Sequence, residues 1–438
     1  MKMEHPLKKL VTKYKNDNIG IYSCCSANEL VIEAALERAK ETNSIVLIES
    51  TANQVNQYGG YTNMTPKDFM EFVTKKASEI NIDMQQIILG GDHLGPLTFT
   101  SDNEEIAMQK ASELIRQYVL AGFTKIHIDT SMKVASDDPN IRLSDEIIAN
   151  RAAILASVAQ NSYKERLKTV PDAIEPIYII GSEVPIPGGS LQNNNDMQIT
   201  KADDLDHTIK AFEKAFIDHG VKDAYDNVIG IVVQPGVEEK DDGCVEYDRN
   251  KAQELMAAID KYDNLIYEGH STDYQTKIKL KELVEDKVKI LKVGPALTFA
   301  MREGLFSLAY IEKELYKNTN KQTSDLIEKL EKRMLSDDKY WHKHYFGSID
   351  EIAFKCKYSF SDRIRYYMVD KQIQDAINIL FDNLKDGIPL NLLSQFMPIQ
   401  YTKVREKTLA NTPNALVKDR IKNCIDEYLY ATQQHLIK

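Results

Sequence analysis

The sequence contains few cysteines, no long apolar segment and no basic run, and each absence excludes a class of protein. Its five cysteines are odd in number and form no CxxC pair, which argues against a disulfide framework and a cysteine-based zinc site. No run of about 18 apolar residues is present to span a bilayer, and the first residues lack the apolar core of a signal peptide. We therefore expect a cytoplasmic protein.

The charge balance is acidic. Lys and Arg number 55 against 66 Asp and Glu, which gives a formal net charge of −11 at pH 7. This surplus of negative charge makes nucleic acid and anionic membranes poor partners, so we expect neither. A few local cationic or amide groups can still bind a phosphate, because net charge does not decide the chemistry of one site.

Short apolar runs alternate with longer stretches of helical periodicity through the first 310 residues. The runs cover residues 19–23, 45–48, 87–90, 125–129, 177–181, 229–233, 265–268 and 290–293. Several are nearly continuous Ile, Val and Leu, which is typical of parallel strands covered by helices. Eight such units predict an α/β fold of the (β/α)8 TIM-barrel type, and the absence of a glycine-rich turn after the first run disfavours an open doubly wound sheet. Helical patterns in residues 311–438 predict a C-terminal extension packed on a barrel formed by residues 1–310.

The fourth run places ionisable residues on one face. Period-two alternation puts Lys125, His127 and Asp129 on the side opposite Ile126 and Ile128. If the isoleucines pack on helices, the three polar side chains point into the barrel, where burial costs several kcal/mol unless they are paired or bound to metal. Catalytic roles for Lys125 and Asp129 are one interpretation, and an internal hydrogen-bond network is the other.

Histidines and carboxylates follow several of the predicted strands, where barrels carry their chemistry. We predict that His93, Glu183 and His270 bind one divalent cation, with Asp92 beside it as a proton-transfer group. Zinc is the favoured metal, with Mn, Ni and Co as alternatives. Taken singly, each histidine could instead be a structural hydrogen bonder.

Two regions predict binding of a phosphate or a polyol. Ser271 and Gly294 follow the seventh and eighth strands, between which barrels often hold phosphate on helix N-terminal amides. Ser361, Arg363 and Arg365 lie in an aromatic segment of the extension and suit an oxyanion, although a salt-bridged docking surface is an equal alternative. We expect further substrate contacts from residues at or just beyond strand ends, namely Glu49, Gln54 and Gln234.

Long motifs throughout the chain resemble the GatZ/KbaZ family. They occupy residues 23–27, 53–61, 90–96, 268–276, 291–300 and 359–367. The resemblance implies a protein of carbohydrate metabolism, described in the family either as a non-catalytic stabilising subunit of class II D-tagatose-1,6-bisphosphate aldolase or as a metal-dependent 4-epimerase of fructose and tagatose or their 6-phosphates. A kinase label also used in the family is unsupported, because the sequence has no Walker A motif or kinase-type glycine loop.

The resemblance extends to class II aldolases. Asp92 and His93 match the Asp-His pair after strand 3, and His270 matches a histidine ligand after strand 7. Gln234 stands where such aldolases have a histidine, which implies that one ligand is missing or is supplied by His127 or Glu183.

Two hypotheses follow. In the first, the protein epimerises a ketohexose or its 6-phosphate at C4 by retro-aldol cleavage of C3–C4, rotation of the aldehyde and re-addition. Asp92 or Glu183 shuttles the hydroxyl proton, and Lys125 or Lys292 stabilises negative charge. In the second, the barrel is catalytically silent and stabilises a class II aldolase catalytic subunit. A homo-oligomer is compatible with both.

Overall fold

A closed parallel barrel forms the centre of the computed structural model, which describes residues 4–182 and 198–437. Within those residues the barrel strands are β1 (Ile21–Cys25), β2 (Val46–Thr51), β3 (Ile87–Leu94), β4 (Lys125–Ile128), β5 (Ile177–Ile180), β6 (Val228–Val233), β7 (Ile266–Gly269) and β8 (Val288–Val293). Each strand pairs in parallel with its neighbour in the chain, and β8 closes on β1. The predicted (β/α)8 barrel is therefore confirmed.

Helices follow the strands and continue beyond the barrel. Up to the last strand they are α1 (Lys9–Thr12), α2 (Glu29–Glu41), α3 (Pro66–Ile80), α4 (Glu104–Ala121), α5 (Asp145–Arg166), α6 (Ala202–Asp218), α7 (Lys222–Tyr225), α8 (Arg249–Ala258) and α9 (Lys277–Glu285). After β8 they are α10 (Pro295–Tyr316), α11 (Leu326–Ser336), α12 (Ile349–Tyr358), α13 (Lys371–Leu384), α14 (Leu390–Phe396), α15 (Pro398–Arg405) and α16 (Pro413–Thr432). Since α10 runs across residue 310, a division of the chain there stays a prediction.

Shorter elements lie in the connections. A two-stranded antiparallel pair, Glu238–Glu239 with Cys244–Val245, follows β6. Single turns of 3-10 helix occur at Pro6–Lys8, Gly60–Thr62, Met84–Gln86, Pro96–Phe99, Ile259–Lys261, Arg363–Tyr366 and Gln434–Leu436. Two of these elements, the antiparallel pair and the turn Arg363–Tyr366, contribute residues to the mouth of the barrel.

The two ends of the barrel interior have opposite character. At the N-terminal end of the strands, Leu7, Leu10 and Tyr14 close the barrel. They pack on inward apolar residues, including Ile21, Leu47, Ile88, Ile177, Ile179, Ile229, Ile266 and Ile290. At the other end, the inward positions are polar and buried. The apolar end supplies packing, and the polar end is where a barrel carries its chemistry.

The last helix attaches the extension to the barrel. Helix α16 passes close to α10 at Gly304, where an added Cβ would lie 3.2 Å from the Cα of Val417. Lys422 on α16 forms an ion pair of 2.8 Å with Glu37 on α2. The hydroxyl of Tyr428 donates a 2.9 Å hydrogen bond to the carbonyl of Thr272, in the loop after β7. The extension is thus in direct contact with a loop of the barrel mouth.

None of the helices in the described part of the chain is long and apolar enough to cross a bilayer.

Gly95 allows β3 and β4 to end side by side at the barrel mouth. A Cβ at Gly95 would collide with the backbone carbonyl oxygen of Asp129, which cannot move without displacing β4. We expect Gly95→Ala to lower the free energy of unfolding by about 1–3 kcal/mol, the usual cost of overpacking, as measured by urea denaturation. Gly243→Ala is the matched control, because no atom lies within 4 Å of its added Cβ. Equal stability of the two variants would contradict this account.

Candidate active site

A buried ammonium group lies beneath the barrel mouth. The side chain of Lys125 is 0% exposed, and its Nζ lies 2.8 Å from Glu49 Oε1 and 2.7 Å from Glu268 Oε2. Desolvating a lysine and two carboxylates costs several kcal/mol per ion, so the three groups require one another. Lys125 and Glu49 do not line the pocket above. Their side chains pair with each other, as expected for an internal network, which was one of the two interpretations of the sequence.

Lys292 connects this buried group to the pocket. Its Nζ lies 2.6 Å from Glu49 Oε2 and 2.8 Å from Asp92 Oδ1. Although burial opposes the charge, Asp92 and its acidic neighbours hold the pKa of Lys292 well above its usual range. Lys292 is therefore a cation at the pocket surface, and this disfavours a Schiff-base route, which requires a depressed lysine pKa.

Three histidines from β3, β4 and β7 meet at the mouth. The ring centroids of His93, His127 and His270 form a nearly equilateral triangle with sides of 5.0–5.1 Å. Each ring has one nitrogen beside a carboxylate: His93 Nδ1 lies 2.8 Å from Asp129 Oδ2, His127 Nδ1 lies 2.7 Å from Asp92 Oδ1, and His270 Nε2 lies 3.0 Å from Glu268 Oε1. Carboxylates in this relation fix the tautomer and orientation of metal-binding histidines.

Four of these side chains can share a cation. Asp92, His127, Glu268 and His270 offer ligand atoms that lie within 4.8 Å of one another. His93 lies in the triangle of rings but not in this group. The group includes Glu268, which ends the seventh run and which the sequence did not predict as a ligand. Glu183, predicted both as a ligand and as a proton shuttle, lies outside the described residues.

The Nε2 of His127 supplies a direct test of fit. This atom is buried and has no hydrogen-bond partner in the described part of the chain. The backbone amide of His93 lies 3.2 Å from His127 Nδ1, but the 2.7 Å contact of Nδ1 with Asp92 is shorter. The tautomer with its proton on Nδ1, directed at the ionised Asp92, is the one that leaves the lone pair of Nε2 for a cation. An orphaned buried nitrogen among carboxylates and imidazoles fits a divalent metal such as zinc.

The protonation states agree with ligand roles. Burial lowers the pKa of His270 to about 3, so its ring is neutral, as metal binding requires. Burial opposes the ionisation of Asp92, but His93 and Lys292 hold its pKa well below the usual range. Asp129 keeps a pKa of about 2 despite burial, because His93 pairs with it. The site therefore presents the neutral imidazole of His270 beside the ionised carboxylates of Asp92 and Asp129, which raise the pKa of His93 against its burial.

Backbone strain marks the same strand ends. His93 has φ of 50° and Ser271 has φ of 53°, in the left-handed region that non-glycine residues seldom adopt. Such conformations cost about 1–3 kcal/mol each and persist only where surrounding contacts enforce them. Both residues line the pocket.

A pocket at the barrel mouth is lined by His93 and His270, and the extension contributes to its wall. Arg365 and Tyr366 of the extension line it together with barrel residues. Tyr366 packs edge-on against Tyr61, with centroids 4.8 Å apart, and stacks on Tyr340 at 4.7 Å. The predicted site residues that line the pocket are Gln54, Asp92, His93, His270, Ser271, Lys292, Gly294 and Arg365.

Other predicted substrate contacts lie elsewhere. The Oε1 of Gln234 accepts hydrogen bonds from the amides of Gly236 and Val237, so this side chain stabilises a turn. Arg363 points to His344, with Nη2 2.8 Å from Nδ1. Ser361 supports Arg365, whose Nη1 donates to the Ser361 carbonyl at 3.3 Å. The structure does not bring Gln234, Ser361 or Arg363 to the pocket wall.

Several polar residues that line the pocket were not predicted as site residues, namely Thr51, Asn53, Tyr61, Glu239, Asp273 and Tyr366. Asp273 is the consequential one. Its Oδ1 accepts hydrogen bonds from the amides of Gly294 and Ala296, at 3.0 and 2.8 Å. These amides begin α10, where the sequence predicted that a phosphate would bind. Asp273 is the second residue after Ser271, and an acidic residue so close to a predicted anion site was the available signal.

Comparisons with known proteins agree with this fold and these motifs. A sequence profile of the family described as D-tagatose-1,6-bisphosphate aldolase subunit GatZ/KbaZ-like matches residues 7–433. The D-tagatose-1,6-bisphosphate aldolase subunit GatZ of Escherichia coli O1:K1 / APEC is 43% identical over 430 residues, which cover 97% of this chain and 99% of that protein. A GatZ subunit from Escherichia coli O6:K15:H31 (strain 536 / UPEC) matches to the same extent.

One solved structure is similar over almost the full length. A crystal structure from Sinorhizobium meliloti 1021, titled a probable tagatose 6 phosphate kinase, superposes with a TM-score of 0.84 at 39% identity. The match covers 94% of this chain and all of that one.

The metal-binding group can be tested by metal content. We expect His127→Ala and His270→Ala each to lose at least about ten-fold in affinity for a divalent cation, because each removes a nitrogen ligand. Elemental analysis of the purified variants and competition with a fluorescent chelator measure this loss. His219→Ala is the control, since His219 is an exposed residue after α6. Wild-type metal content in both site variants would contradict the assignment.

Proposed function

Because the chain belongs to the GatZ/KbaZ-like family of D-tagatose-1,6-bisphosphate aldolase subunits, we propose that it is a metal-dependent 4-epimerase of a ketohexose or ketohexose 6-phosphate, interconverting fructose and tagatose configurations. Its place in carbohydrate metabolism follows from the family; the reaction is our proposal. The observation that carries it is the orphaned Nε2 of His127, buried among two further imidazoles beside an open pocket.

We assign the cation to His127, Glu268 and His270, a set of two imidazoles and one carboxylate that leaves positions for substrate. A divalent metal supplies Lewis acidity, which polarises the carbonyl and hydroxyl oxygens of a bound ketose. We propose zinc, with Mn, Ni and Co as alternatives, since all accept nitrogen and oxygen ligands. His93 is held by Asp129 and completes the wall beside the substrate.

Asp92 and Lys292 then have separate tasks. Asp92 lines the pocket. Its Oδ1 is engaged by His127 and Lys292, whereas its Oδ2 lies 3.7 Å from His93 Nε2. We assign to Asp92 the proton of the substrate C4 hydroxyl. Loss of that proton lets the C3–C4 bond break, so that C4 becomes an aldehyde and the electron pair moves toward the C2 oxygen. Lys292 places positive charge beside that oxygen, and rotation of the aldehyde before re-addition inverts C4.

The second candidate is a stabilising subunit without catalysis of its own. Its support is the name of the relatives, which are called subunits of D-tagatose-1,6-bisphosphate aldolase. The barrel would then bind a class II aldolase catalytic subunit. We favour the enzyme, because burying Lys125, His127 and Asp129 is costly, and a purely structural barrel is more stable with apolar residues there.

The purified protein alone decides between the two. We expect it to convert fructose or fructose 6-phosphate to the tagatose epimer, to lose this activity in EDTA and to regain it with Zn²⁺, Mn²⁺, Ni²⁺ or Co²⁺, as followed by chromatography of the sugars. Inactivity toward both sugars under every metal, together with stabilisation of an added aldolase subunit, would establish the second candidate instead.

Lys292 provides a test of the assigned charge. We expect Lys292→Met to lower kcat about 10²–10³-fold with metal content retained, since it removes a preorganised positive charge at the reacting oxygen. Lys289→Met is the matched control: Lys289 is buried on the same strand, but its Nζ donates to the Val284 carbonyl at 2.7 Å, outside the pocket. A kcat for Lys292→Met within three-fold of that control would refute the role.

A further inference from the structure

The N-terminus of α10 already binds an acidic side chain of the chain itself. Asp273 is 2% exposed, and its Oδ1 accepts the amides of Gly294 and Ala296. Helix N-termini favour negative charge through their unsatisfied amides and dipole, and in many barrels these groups bind a substrate phosphate. Here the carboxylate takes that position, so a phosphate at this end of the pocket would have to displace it.

A second carboxyl group lies at the same end. Glu239, on the short antiparallel strand after β6, is 4% exposed and lines the pocket with Asp273. The carboxyl group has a hydrogen bond with the side chain of Ser271, but its Oε2 is buried and has no hydrogen-bond partner within residues 4–182 and 198–437. Burial raises the pKa of Glu239. Burial and the neighbouring charge of Glu239 together raise the pKa of Asp273 to about 7. A buried acceptor without a partner at a pocket wall is suited to a ligand that donates.

Few lysine and arginine side chains line the pocket. Among its described lining residues only Lys292 and Arg365 belong to this class. Lys292 is already paired with Glu49 and Asp92. Arg365 donates to the Asp362 carbonyl at 2.7 Å and lowers the pKa of both Glu239 and Asp273 by its charge, against their burial. Residues 183–197, whose structure is not described, contain no Lys, Arg or His.

We propose that Glu239 and Asp273 form a hydroxyl-recognition subsite, which accepts hydrogen bonds from the terminal hydroxyl groups of an unphosphorylated ketose and disfavours a ketose phosphate. A sugar hydroxyl can donate a hydrogen bond to the Oε2 of Glu239, whereas a phosphate dianion has no proton to donate to this acceptor and leaves it unpaired. This inference rests on the proposed function, which leaves the phosphorylation state of the substrate open. The subsite identifies the substrate as the unphosphorylated sugar. Selectivity arises because the wrong ligand leaves buried polar groups unpaired.

Calorimetric binding of fructose and fructose 6-phosphate to the metal-loaded protein tests the subsite independently of turnover. We expect wild type to bind fructose at least ten-fold more tightly than the 6-phosphate. Glu239→Gln keeps the size of the side chain but replaces an acceptor oxygen with a donor. We therefore expect the ratio of the Kd for the 6-phosphate to the Kd for fructose to fall at least ten-fold. Glu238→Gln, one residue away and outside the pocket lining, should leave the ratio unchanged.

A second variant covers the case in which Glu239→Gln does not fold. Asp273→Asn retains an oxygen for the α10 amides while losing the charge, and we expect it to shift the ratio in the same direction. Tighter binding of the 6-phosphate by wild type, an unchanged ratio in the folded variants, or no binding of either sugar would overturn the subsite. Epimerisation of fructose 6-phosphate with an unchanged ratio would overturn it while leaving the proposed function intact. Selective binding of fructose without epimerisation would overturn the proposed function while leaving the subsite intact.

Discussion

The buried ammonium of Lys125 between Glu49 and Glu268 is the interaction on which the barrel mouth depends. Three charges removed from water are tolerable only together, and loss of one partner of such a pair costs about 3–5 kcal/mol. Since the three residues come from β4, β2 and β7, their pairing also fixes the relative positions of those strands at the point where the pocket begins. The network gives the site rigidity that a loop-built site lacks.

Each outer residue takes its position from this centre. Glu49 also holds Lys292, Lys292 holds Asp92, and Asp92 orients the ring of His127. Glu268 likewise orients His270. The imidazoles are thus presented to the pocket with their tautomers fixed by ionised neighbours, and the extension covers them with Arg365 and Tyr366. Metal binding, substrate orientation and exclusion of water therefore depend on one connected set of polar contacts.

The sequence predicted the barrel and its inward polar face because both follow from periodicity. Alternation in β4 was enough to orient Lys125, His127 and Asp129 inward, and the order of strand ends brought His93 and His270 beside them. Alternation does not say which partner a side chain selects. Gln234 therefore resembled a pocket residue although it stabilises its own turn, and Asp273 was missed as the cap of α10. Arg363 and Arg365 lie on one 3-10 turn and both contact Tyr366, but only Arg365 lines the pocket, which the spacing of the two residues could not show.

We propose that one divalent cation lies among the side chains contributed by β3, β4 and β7. Anomalous diffraction from crystals of the protein, collected on either side of the absorption edge of the bound element, measures this directly. The account predicts a single strong anomalous peak within bonding distance of His127 Nε2 and of His270, in protein that is active before crystallisation. Active protein whose crystals show no peak there, or a peak only at another place, would contradict it.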